Sequence, residues 1–87
     1  MFTCRLEKIK NDHNRLRTDQ VVGVCPQLPT IGQSFVMFSE GLDNPDAVRQ
    51  VNTNIVDALQ VDGDVYTLTT RSGSVYQVTI IDKGDDV

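Results

Sequence analysis

The side chains that could act on another molecule are mostly small and polar. Thr53, Asn54, Thr69, Thr70, Ser72 and Ser74 supply hydroxyls and an amide, and Arg71 places one guanidinium among them. Hydroxyls, amides and an arginine are groups that hold phosphate oxygens. Phe35, Phe38, Tyr66 and Tyr76 add rings on which a base can stack. The same residues are also ordinary strand formers, because Thr and Tyr pack well on a pleated surface. Residue type alone therefore does not separate a ligand site from a sheet.

The groups that make and break bonds are scarce. A nucleophilic triad needs a base beside the nucleophile, and the only histidine, His13, falls in a polar stretch that reads as solvated. Cys4, Cys25 and His13 would give a zinc ion three ligands, without the close-paired spacing of structural sites. Two cysteines are too few for a disulfide scaffold, and in a reducing cytosol they read as small buried apolar residues. The six glycines are scattered rather than gathered in a phosphate loop. Asp62 and Asp64 belong to a turn, with no calcium-loop pattern after them. The expectation is a binding protein without catalysis, metal or cofactor.

Charge narrows the ligand. The 87-residue chain has eight Lys and Arg against twelve Asp and Glu, net −4. Residues 1–17 hold five basic side chains against two acidic, a balance of +3, while residues 18–87 hold three against ten, a balance of −7. That argues against a general DNA or RNA binder, which needs a basic field to release counterions. It leaves open a small anion held by one or two placed arginines such as Arg49 and Arg71. No apolar run approaches the length of a membrane-spanning helix. The first ten residues carry charges where a secretory signal would be apolar.

These side chains must be positioned by short strands. Phe2, Cys4 and Leu6 alternate with Thr3, Arg5 and Glu7, the period of a half-buried strand. Residues 11–20 read as a polar loop, and residues 20–25 as a short strand closed by Pro26. In the strand predicted over 33–40, Phe35 and Met37 face one way and Val36 and Phe38 the other. A strand apolar on both faces wants cover on both, from a second subunit or from a lid of its own chain. At the Thr-rich hairpin, a three-residue loop Arg71-Ser72-Gly73 pairs Leu68 with Tyr76 and aligns the apolar faces. It also puts Gly73 at a left-handed position.

The middle is ambiguous. Asp43-Asn44-Pro45 resembles a helix start, and Val48, Val51, Ile55, Ala58 and Leu59 keep helical spacing. The β-branched residues and Asn52-Thr53-Asn54 instead favour two short strands with a kink near Asn54. A turn at Val61-Asp62-Gly63-Asp64 then leads into the hairpin. The sum is an all-β fold, a small antiparallel barrel or rolled sheet of about six short strands. It spans one domain over 1–82, followed by an acidic tail over 83–87.

Three segments carry a family resemblance: Cys25-Pro-Gln-Leu28-Pro29-Thr-Ile-Gly32-Gln-Ser-Phe35, then Val51-Asn-Thr53-Asn54-Ile-Val56, then Thr70-Arg-Ser-Gly-Ser74-Val-Tyr76. Together they resemble the anti-CBASS sponge proteins, very small proteins of tailed phages, over about residues 22–80. Asn54 stands where the family pattern has Ser, and Ser72-Gly73 alters the turn before Ser74. The resemblance implies a protein that binds cyclic dinucleotides such as 3'3'-cGAMP in the host cytoplasm and sequesters them without hydrolysis. It also implies a homo-oligomer, a tetramer being favoured, with ligands between subunits. On the matched positions, Arg71, Thr53, Ser72 and Ser74 would meet phosphates, Phe35 or Tyr76 would stack on a base, and Asn54 would read a base edge. The alternative is a protein-interaction module, either a phage inhibitor of a host protein or a minor virion component. The outer residues Val36 and Phe38 discriminate between them.

Overall fold

The structure, a computed structural model, describes residues 1–10, 20–40 and 46–83. Its six strands are β1 (Phe2–Lys10), β2 (Gln20–Cys25), β3 (Ser34–Glu40), β4 (Val48–Asp62), β5 (Val65–Thr70) and β6 (Val75–Asp82). Each pairs antiparallel with the next in sequence, and β6 returns to β1 to close a barrel. The expected all-β barrel is thus the architecture found. Closure removes the free sheet edges at which such a small sheet would otherwise pair with other chains. Among the described residues no helix is long and apolar enough to cross a membrane.

Alternation builds the core. Cys4 and Leu6 of β1, Val21 and Cys25 of β2, Phe35 and Met37 of β3, and Tyr76, Val78 and Ile80 of β6 all turn inward and are buried. Val51, Val56 and Leu68 complete the cluster. Each large apolar side chain so buried contributes about 1.5–3 kcal/mol.

The β5–β6 hairpin has the three-residue loop. Leu68 stands opposite Tyr76 and Thr69 opposite Val75. The Thr70 amide donates to the Ser74 carbonyl at 2.9 Å and the Gly73 amide to the Thr70 carbonyl at 3.0 Å. Gly73 has φ of 92°, a left-handed conformation that glycine adopts without a Cβ clash.

The middle of the chain differs from both readings of its sequence. Residues 48–62 form neither a helix nor two strands but one 15-residue strand. The predicted kink survives as a change of partner. Up to Ile55 the strand pairs with β3, and from Val56 onward it pairs with β5, with register shifts at Ser34/Val36 and Val56/Ala58. The following turn is tighter than the four residues predicted: Asp62 pairs with Val65, leaving only Gly63 and Asp64 between them. The loop around His13, the residues Asp43-Asn44-Pro45 and positions 84–87 of the acidic tail lie outside the described residues.

β2 and β3 meet at a single laddered pair, Val24 with Phe38. Gly23 makes that approach possible, because a Cβ on it would overlap the Phe38 carbonyl oxygen. On the outside of this seam Val24, Val36 and Phe38 are half-buried and Val22 is exposed. β3 is therefore apolar on both faces, as its sequence predicts, with the core covering one.

Candidate functional site

The change of partner in β4 gathers the three segments just described. The Gly32 amide donates to the Val56 carbonyl at 2.8 Å, and the Val56 amide to the Gln33 carbonyl at 3.0 Å. From the other side the Arg71 amide donates to the Ile55 carbonyl at 2.8 Å. The turn before β3, the bend of β4 and the tip of the β5–β6 hairpin thus share backbone hydrogen bonds around residues 53–56. Register shifts free these carbonyls and amides from the regular ladder, and neighbouring segments satisfy them.

Side chains at the bend complete that task. Thr53 is buried, accepts the Phe35 amide proton at 3.0 Å and donates its own to the Asn54 carbonyl at 2.7 Å. Asn54 accepts the Ile55 amide on Oδ1 at 2.8 Å. Its NH2 group has no partner among the described residues, which leaves two donors available.

The hairpin tip is organised more tightly. Thr70 Oγ1 donates to the Ser74 carbonyl at 3.3 Å and lies 3.0 Å from Ser72 Oγ. A hydroxyl has one proton, so Ser72 is the donor in that second bond. Thr70 and Ser74 are buried. Arg71 projects outward, its side chain 61% exposed, and meets Asp57 by one contact, Nε to Oδ1 at 3.3 Å. An exposed pair of this kind is worth about 0–1 kcal/mol, so a phosphate can compete for the guanidinium.

The two expected stacking rings lie in the core: Phe35 is 3% exposed and Tyr76 1%. Tyr76 cannot present a ring face to a base while the barrel is closed, and its hydroxyl is buried without a hydrogen-bond partner among the described residues. Phe35 also lines a groove of about 240 Å³ beside the turn that precedes β3. Leu28 and Val36 share that lining, with Gln27, Gln33 and Ser34 as exposed polar neighbours. Of the seven residues expected to bind ligand, Thr53, Asn54, Arg71, Ser72 and Ser74 surround the bend and tip, Phe35 is tied to them by its backbone amide on Thr53, and Tyr76 stays inside.

Sequence reasoning missed Asp57, which holds Arg71, and the amides of Gln27 and Gln33. The glutamines had a signal, since they bracket the Leu-Pro-x-x-Gly turn. Asp57 had none, because its position beside Arg71 depends on the bulge in β4. Among the described residues no group of three His, Cys, Asp or Glu side chains could hold a metal ion. No family model, curated protein or solved structure matches the chain.

Proposed function

We propose that this protein captures cyclic dinucleotide signals such as 3'3'-cGAMP without hydrolysing them, and so blocks the bacterial CBASS defence in the cytoplasm of a phage-infected host. The observation that carries this reading is the convergence of residues 28–35, 51–56 and 70–74 on one bend, where Arg71 and the Asn54 NH2 remain as accessible donors. A guanidinium and an amide suit phosphate oxygens and the carbonyl edge of a base. The groove between Leu28 and Val36, with Gln27 and Gln33 at hand, would take the base itself. In this reading Thr53, Ser72 and Ser74 hold the shape of the site, and Arg71 and Asn54 touch the ligand.

Capture lowers a signal stoichiometrically, so tight binding and abundance replace turnover. A ligand with two phosphates and two bases calls for paired sites, and a twofold axis supplies each contact twice. A homo-oligomer, a tetramer in the fullest form of this reading, would bring two bends together. It would also give the outer face of Val36 and Phe38 the cover it calls for.

That same outer face favours a second reading, a protein-interaction module that docks on a host or virion protein through Val22, Val24, Val36 and Phe38. Thermal-shift titration against a panel of cyclic di- and trinucleotides, with sedimentation in parallel, separates the two. Capture predicts a raised melting temperature with at least one cyclic dinucleotide, intact nucleotide recovered after heat denaturation, and an oligomer. A monomer with no shift at high micromolar nucleotide would remove the sponge reading and leave the interaction module.

A further inference from the structure

β3 is laddered to β4 from Ser34 to Glu40, but to β2 by one pair only, Val24 with Phe38. The Gln33 carbonyl accepts the Val56 amide at 3.0 Å, and the Phe35 amide donates to Thr53 at 3.0 Å, so both residues direct backbone groups toward β4. Successive strand residues direct their backbone groups to opposite sides. Ser34, Val36 and Phe38 therefore turn theirs the other way, and the Phe38 carbonyl does lie against Gly23 of β2.

Continuing the Val24–Phe38 register sets Pro26 opposite Val36 and Leu28 opposite Ser34. Proline has no N–H, so the Val36 carbonyl meets no donor across the gap. Among the described residues no backbone hydrogen bond joins residues 26–30 to residues 34–36. The two segments part here, and the groove of about 240 Å³ lies between them. Its lining thus combines the apolar side chains of Leu28 and Phe35 with an open strand edge. Backbone N–H and C=O groups call for partners, and ligand pockets fix orientation with a few such groups in an apolar lining.

On the reading that the groove takes a base, we infer that the Val36 N–H and C=O are the groups that read it, and that the ligand class is a purine presenting its base-pairing edge. One strand residue offers a donor and an acceptor side by side. Adenine meets them with its ring nitrogen and amino group, guanine with its carbonyl and ring N–H. Both purines fit the same edge, so two equivalent grooves of an oligomer can take the two different bases of 3'3'-cGAMP. Bases held outside a helix are read in this way, by hydrogen bonds to that edge and apolar contact on their faces. Gln27 and Gln33 are exposed, and fixing such long side chains on a base costs rotamer freedom. The strand backbone is already ordered, so the main chain carries the reading and the glutamines add little.

Amide hydrogen exchange of the full chain by NMR, free and saturated with 3'3'-cGAMP, tests this. In the free protein the Val36 amide should exchange at least about tenfold faster than the Phe35 and Met37 amides, which face β4. Saturation should slow Val36 exchange by about tenfold or more, and Gln27→Ala and Gln33→Ala should each weaken binding by less than about threefold. A Val36 amide already protected in the free protein would overturn the open edge. Binding that leaves Val36 exchange unchanged, or that either glutamine variant weakens by about tenfold or more, would overturn main-chain reading and leave capture itself standing. No binding at high micromolar nucleotide would remove the capture reading, and the base-reading edge with it.

Discussion

The hairpin tip and the bend of β4 hold similar side chains, yet they use them differently. At the tip, Thr70 donates to the Ser74 carbonyl and Ser72 to Thr70, so both hydroxyl protons stay within the turn. At the bend, Thr53 is likewise engaged on both sides, but Asn54 engages its oxygen while its NH2 has no partner among the described residues. Arg71 rises from the tip on an exposed ion pair that holds one of its nitrogens. The difference separates two roles that residue type merges. Hydroxyls shape this end of the barrel, and the nitrogen donors beside them are what a ligand can reach. Counting polar residues overstates the binding capacity of such a surface, while tracing each proton to its acceptor gives a shorter set.

The largest effect expected is on Arg71. Arg71→Ala should weaken cyclic dinucleotide binding by about 1.5–3 kcal/mol in calorimetry if the guanidinium meets a phosphate. Urea unfolding of the same variant should change by no more than about 0.5 kcal/mol. Thr53→Val should show the reverse pattern. It orphans the buried Phe35 amide, which costs about 1–3 kcal/mol of stability, while the affinity of the folded protein stays near wild type. A loss of affinity at unchanged stability would move Thr53 back among the ligand contacts.

Asn54→Asp keeps the oxygen that accepts from Ile55 and removes the free donors. It should cost about 1 kcal/mol of binding and leave the melting temperature close to wild type. The smallest change belongs to Asp57→Asn, which releases Arg71 from its ion pair. Affinity should rise by about 0.5 kcal/mol or less, and the gain should shrink as salt is added.

The hairpin was legible because two independent rules met on it. Aligned apolar faces required Leu68 opposite Tyr76, and the loop that does this needs a left-handed residue where Gly73 stands. That alternation also assigned the Tyr76 ring to the core, a consequence that side-chain chemistry alone obscured. β4 resisted reading for a physical reason. A register shift inserts a residue into the alternation, so its inward positions fall at Val51, Thr53, Val56 and half-buried Leu59. Steps of two and three along the chain imitate the period of a helix.

At the site, the gathering of the three motif segments was not legible, since it depends on backbone bonds made across that shift. The commitment of each hydroxyl was hidden for a related reason. Whether Ser72 offers its proton to a ligand or to Thr70 is decided by the loop's curvature and not by residue type. The outer face of β3 was readable, because Val36 and Phe38 alternate with Phe35 and Met37 whatever the neighbouring strands do.

Isothermal titration of the wild-type protein and Asn54→Asp with 3'3'-cGAMP, followed by chromatography of the recovered nucleotide, tests the central claim most directly. Capture at the β4 bend predicts saturable heat at a fixed ratio of ligand to chain, weaker binding by the variant, and return of the intact cyclic nucleotide. The absence of heat at high micromolar ligand would contradict the account. So would equal affinity in the two proteins, or recovery of a cleaved product.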